Sequence, residues 1–307
     1  ELFRMRDFKT ELVWMCDRYR SLFGQNAPAF DQALVEVLTP VLEAISQSDA
    51  PYHTLEHALQ VMRIGQLILE GKQHHDGDVS PRDWLHFLTA LGCQNIGYAK
   101  EIFERDNASR HLYYDGKSSF IKLFYGATGA ALSECHVDRS KAYVALNVIH
   151  PQVTIETVQE MIEMTRFPIP HQSRYQHKLN YSGLCRAADL LGQICDPEYL
   201  KKLPALFQEF EETGMNQALG YATPAELKGQ YPYFFWQVIY PYVKGSMRYL
   251  SVTAKGRRAI AQLYTNICMA EFNQPPCDVP VTSGASPDNS SESRFLPWQE
   301  AGFLFFS

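Results

Sequence analysis

The chain has 307 residues, 46% of them hydrophobic, with 28 Lys and Arg against 34 Asp and Glu, a net charge of −6. That length and apolar share suffice for one sizeable domain with extensions. The acidic balance excludes a general nucleic-acid binder, which needs a clustered basic face, and weighs against an anionic membrane surface.

Helical periodicity dominates from the first residues onward. A helix is predicted from Asp7 to Phe23, where Leu12, Val13, Met15, Cys16, Tyr19, Leu22 and Phe23 share one broad face. Phe30 to Ile45 repeats the pattern, and Thr54 to Leu69 follows. Ser80 and Pro81 open a helix to about Leu91, with an N-cap followed by Pro at the first helical position. A short hairpin is expected near residues 110–118. Helices are then predicted at Lys141–Ile149, Ile155–Met164, Tyr181–Ile194, Tyr199–Glu212, Pro232–Tyr249 and Thr253–Phe272, with Gly214 as a C-cap. The fold class is all-α. Residues 1–29 read as an N-terminal helical extension, 30–272 as the main helical domain, and 273–307 as a tail.

The tail changes character. Residues 275–293 are rich in Pro, Ser, Asn, Asp and Gly and read as a linker. Behind it Phe295, Trp298, Phe303, Phe305 and Phe306 form a short aromatic segment, suited to folding back on its own domain or docking on a protein partner. No apolar run reaches the roughly 20 residues that span a bilayer, and no signal-peptide pattern opens the chain. Seven cysteines lie at positions 16, 93, 135, 185, 195, 268 and 277 without CxxC spacing. They read as reduced thiols of a cytoplasmic or plastid-stromal protein.

Two segments carry chemistry. Tyr52 to Ala58 (YHTLEHA) opens a helix with His53 and His57 four residues apart, hence neighbours on one face. Such a pair is a weak metal signal by itself, and a capping His53 with a hydrogen-bonded His57 explains it as well. Asp189 stands among Leu184, Ala187, Ala188, Leu190 and Leu191. A carboxylate there is costly unless paired or metal-bound, with Arg186 as the ordinary candidate partner. Between them lies Ala90–Tyr98 (ALGCQNIGY), with Gln94 and Asn95 at its centre.

In this order the three segments resemble the HD-domain metal-dependent phosphohydrolases, the superfamily of the cyclic-nucleotide phosphodiesterases. The resemblance covers about residues 30–270, with its motif core between 52 and 196. It looks closest to a cyanobacterial-type branch, through stretches such as residues 81–87 (PRDWLHF), 165–170 (TRFPIP) and 178–189 (KLNYSGLCRAAD). It implies an HD-like helical bundle with His57 and Asp189 as metal ligands and His53 as the acid that protonates the leaving group. Gln94 and Asn95 then occupy the slots of the central His-Asp pair. His111 and His136 are candidate auxiliary contacts, and Arg166 and Lys178, with Arg174 beside them, candidate phosphate contacts.

The substitution alters what the resemblance implies. Gln in place of His swaps a nitrogen donor for an amide, and Asn in place of Asp removes a charge that offsets a dication. Loss of even an outer-shell partner costs about 10–100-fold in affinity or activity. The expectation is therefore a metal-poor, catalytically impaired protein that binds a nucleotide-like small molecule or serves as a structural or interaction subunit. The alternatives are an active phosphohydrolase with Mn, Fe, Mg or Zn, and an engineered inactive variant of one. His74 to Asp78 (HHDGD) is expected to be a polar turn, and the aromatic run Tyr231–Trp236 to be mostly core.

Overall fold

The computed structural model describes residues 7–24, 27–176 and 179–272. The described residues are overwhelmingly helical. In chain order the helices are α1 Phe8–Phe23, α2 Phe30–Ser46, α3 Leu55–Asp76, α4 Pro81–Cys93, α5 His136–Asn147, α6 Ile155–Glu163, α7 Tyr181–Ile194, α8 Tyr199–Glu212, α9 Met215–Leu219, α10 Pro224–Phe234, α11 Tyr240–Val252 and α12 Ala254–Phe272. One antiparallel hairpin interrupts them, β1 Leu112–Tyr114 and β2 Phe120–Lys122, with Tyr113 opposite Ile121. It lies a few residues beyond the expected position.

Local chemistry sets the helix ends. Ser80 accepts from the Asp83 amide at 3.1 Å while Asp83 accepts from the Ser80 amide at 3.1 Å, a reciprocal cap completed by Pro81. Thr223, Pro224 and Glu226 repeat the device at α10. Asn180 caps α7 by accepting from the Gly183 amide at 3.0 Å.

α3 is the axis of the molecule. Residues His57 to Lys72 are all buried, and the helix packs against α1, α4, α7, α11 and α12. α7 lies close along it because Gly192 has no side chain: a Cβ there would stand 2.7 Å from the Val61 Cα. Leu12, Met15 and Tyr19 of α1 join the same continuous core, so the first helix is packed into the main body. A small separate cluster of Tyr113, Leu123, Ala127, Leu132 and Cys135 supports the hairpin.

Three expectations need correction. α3 continues about two turns past Leu69, through His74 and His75 to Asp76, in place of the expected turn. Lys72 reaches Asp76 at 2.9 Å one turn on, Tyr249 donates to Asp76 at 2.7 Å, and left-handed Gly77 ends the helix. α5 begins at His136, not Lys141. The segment read as one helix over Pro232–Tyr249 is two helices joined by a π-helical turn, Phe235–Ile239. Pro241 has no amide hydrogen to continue an α-helical ladder there. No helix among the described residues is long and apolar enough to cross a membrane.

Candidate functional site

Four residues spread over more than 130 positions come together. His57 sits in the first turn of α3 behind its N-cap Thr54. Gln94 caps the C-terminal end of α4, Asn95 follows it, and Asp189 lies within α7. Gln94 Nε2 donates to Asp189 Oδ1 at 2.8 Å, and His57 Nε2 stands 3.9 Å from the same oxygen. The ion pair offered as the ordinary explanation of Asp189 does not form. Arg186 turns away and donates to the carbonyls of Met164 at 2.7 Å and Tyr175 at 2.5 Å.

His57, Asn95 and Asp189 line a cavity of about 310 Å³. His53 is in its wall, with Nδ1 donating to Glu209 Oε2 at 2.6 Å. The other Glu209 oxygen accepts from the amides of Tyr52 at 2.7 Å and His53 at 3.0 Å, so the carboxylate fixes ring and backbone together. The Tyr98 ring lies between two imidazoles, stacked on His53 at 4.2 Å and on His136 at 4.4 Å. Across the cavity the wall is apolar and aromatic, with Leu190, Leu203, Leu206, Tyr199, Tyr231 and Phe234.

The turn that carries Asn95 and Tyr98 is held from α5. Ser140 donates to the Gln94 carbonyl at 2.6 Å and accepts from the Gly97 amide at 3.0 Å. Gly97 must be glycine, because a Cβ would stand 1.9 Å from the His136 carbonyl oxygen. Arg139, fully buried, donates to the carbonyls of Gly97 at 2.9 Å, Ala99 at 3.0 Å and Tyr114, and pairs with fully buried Asp106 at 3.3 Å.

Burial shapes the charges. It pushes the Asp189 carboxyl up to about 6 against the opposing Gln94 hydrogen bond. It also drives the His57 pKa well down, helped by the His53 charge. Burial alone would lower His53 too, but the Glu209 charge and hydrogen bond outweigh it and hold His53 above its ordinary value. His136 is pushed down to about 4 by burial, with Nδ1 donating to the Ser133 carbonyl at 2.5 Å. His53 therefore pairs with Glu209, and no Lys or Arg pairs with Asp189 among the described residues.

As a metal donor set these residues do not fit. A divalent centre of the implied kind asks for several carboxylates or imidazoles converging on one point. Here one carboxylate and one imidazole converge with amides, and the Gln94 N–H points at the Asp189 oxygen. No group of three or more His, Cys, Asp or Glu is arranged to hold a metal among the described residues.

The remaining expected residues divide. Arg166 reaches the cavity, but its guanidinium is held by Asp138 at 2.8 and 3.2 Å and by Glu163 at 2.8 and 3.0 Å. His136 is present through the Tyr98 stack. His111 is not: it stands in the turn before β1, its carbonyl tied to the Leu123 amide at 2.9 Å and its ring edge-on to Tyr125. That hairpin bond holds it away from the cavity. Lys178, Phe295, Trp298, Phe303, Phe305 and Phe306 lie outside the described residues. Sequence reasoning missed Tyr98, Glu209, Tyr199 and Tyr231. Tyr98 stood inside the quoted motif, whereas nothing local marks Glu209, 156 residues from His53.

The family model described as Npun_R2479-like matches residues 8–273, and the chain belongs to that family. No curated protein matches the chain. The family's description names no reaction, ligand or partner, so function is argued from the site.

Proposed function

We propose that the cavity is a dismantled HD-type site that works by binding a small molecule, not by metal-dependent hydrolysis. The observation that carries this reading is the 2.8 Å bond from Gln94 Nε2 to Asp189 Oδ1. The Gln94 N–H takes one acceptor position of the carboxylate, and neither Gln94 nor Asn95 supplies the charge that would offset a dication. The Gln94 amide instead ties α4 to α7. Beside that contact lies a cavity at the lower end of the volumes that hold small molecules, roughly 300–1,000 Å³, with apolar walls and a few convergent polar groups.

A second reading, residual acid–base catalysis, is favoured by the His53–Glu209 pair. That pair favours the protonated imidazole at the cavity wall, the form that a general acid needs. One assay separates the two. The full chain is incubated with bis-p-nitrophenyl phosphate and p-nitrophenyl phosphate, with Mn²⁺, Mg²⁺, Fe²⁺ or Zn²⁺ and with chelator. The binding reading predicts no turnover above background in any of these. Metal-dependent turnover lost in His53→Ala would establish an enzyme.

The aromatic tail is proposed as a protein-docking segment. The compartment is proposed as cytoplasmic or plastid-stromal, consistent with six unbridged cysteines among the described residues.

A further inference from the structure

We infer that the cavity takes a small organic ammonium ion with an apolar body, its N–H groups donating to Asp189, and that it rejects phosphate. This rests on the binding reading above. The nucleotide-like ligand expected from the resemblance needs a cationic anchor, and among the described residues Arg166 is the only Arg or Lys in the wall. Four of its five N–H donors are committed to Asp138 and Glu163, which leaves it one donor for a ligand. Lys117, Lys141 and Arg174 join that network from outside the cavity wall, at 3.0 Å from Asp138 and at 2.7 and 3.3 Å from Glu163. The other cationic group in the wall, His53, is matched by Glu209 at 2.6 Å.

Asp189 has the opposite standing. Its partners are one amide N–H and an imidazole 3.9 Å away, and no Lys or Arg pairs with it among the described residues. An ionised carboxylate offers about four acceptor positions, so most of its capacity faces the cavity unused. A phosphate placed there meets this anion with no compensating charge. An ammonium meets its counter-ion, and the Tyr199 and Tyr231 rings in the wall suit a cation electrostatically.

A second, independent observation points to a ligand. Asn95 and Tyr231 line the cavity, are 5% and 2% exposed, and hold Asn95 Nδ2 and the Tyr231 hydroxyl without a hydrogen-bond partner. Buried polar groups are ordinarily satisfied. These two residues on opposite sides of the cavity keep unused hydrogen-bonding capacity beside it, a donor at Asn95 and a hydroxyl at Tyr231.

The test uses three probes with one body and different heads: phenylethylamine, phenylethyl alcohol and phenylethyl phosphate, titrated calorimetrically into the full chain. The amine is expected to bind roughly tenfold tighter than the alcohol or better, as a charge-assisted hydrogen bond in a desolvated site implies, and the phosphate weakest. Asp189→Asn should bring amine and alcohol to equal affinity while leaving alcohol binding in place. If that variant does not fold, the wild-type ranking alone decides. The inference is overturned if the phosphate binds best, if amine and alcohol bind equally, or if no probe binds. The binding reading fails differently: a divalent metal would bind stoichiometrically and switch phosphate binding on.

Discussion

Replacing Arg139 by Met should be among the most damaging single changes in this chain. Arg139 and Asp106 are both fully buried, and the guanidinium also satisfies the carbonyls of Gly97, Ala99 and Tyr114. Methionine fills much of the space but leaves Asp106 charged in the interior with only the Phe103 and Tyr114 amides at 3.2 and 2.8 Å. Breaking a buried pair from one side costs about 3–5 kcal/mol, against a typical total stability of about 5–15 kcal/mol. With a urea slope of about 3 kcal/mol/M for a chain of this size, a loss of about 4 kcal/mol lowers the urea midpoint by about 1.3 M. The double variant Arg139→Met/Asp106→Leu removes the stranded charge and should recover part of that loss. Three carbonyls still lack their donor, so recovery stays incomplete. Urea unfolding followed by circular dichroism measures both. A loss below about 1 kcal/mol in the single variant, or losses that simply add in the double, would refute the reasoning that the pair acts as a unit.

Three further outcomes follow from the site. Gly97→Ala drives a Cβ to 1.9 Å from a backbone oxygen that cannot yield easily. It should cost at least about 1–3 kcal/mol in thermal or urea unfolding; a neutral result would contradict the close approach of the turn to α5. Glu209→Gln removes the charge that raises His53, so the His53 pKa followed by imidazole NMR should fall from above 6.5 to below it. Acid should destabilise the fold in two stages. His136 has a pKa of about 4 against an ordinary 6.5, so the unfolded chain binds the proton first and stability falls from about pH 6.5 towards 4. Burial pushes Glu163 up, but Arg166, Lys141 and Tyr175 outweigh it and hold it at about 2 against 4.5. Its contribution is complete above pH 4.5 and is lost as the pH falls towards 2. His136→Phe should reduce the upper stage, which the lowered His57 and His86 share, and leave the lower stage unchanged.

The all-α fold was legible because its signals are local. Ser80, Pro81 and Asp83 announce a helix start within four residues, and the apolar periodicity of α2 marks a face that must be buried. The last turn of α3 carries no such signal, because His74, His75 and Asp76 are polar and exposed and extend no apolar face. The convergence of His57, Gln94 and Asp189 was anticipated through motif order, not from spacing, since nothing local joins residues 95 positions apart. Glu209 escaped because its partner His53 lies across the chain and its own helix reads as an ordinary amphipathic one. Arg166 was recognised as a phosphate candidate, but the carboxylates that occupy it come from α5 and α6, and only the fold brings them there. His111 shows the reverse case: a residue type suited to the chemistry, kept away by one hairpin bond.

The central proposal is that the site around Gln94, Asn95 and Asp189 binds a small molecule without metal. The most direct test is the metal content of the full chain after equilibration with Mn²⁺, Fe²⁺ and Mg²⁺, measured by mass spectrometry beside the variant Gln94→His/Asn95→Asp. The expected result is no stoichiometric metal in the unaltered chain and about one ion or more per chain in the variant, where four donors would converge. Stoichiometric metal in the unaltered chain, held through His57 and Asp189 and lost in Asp189→Ala, would contradict it.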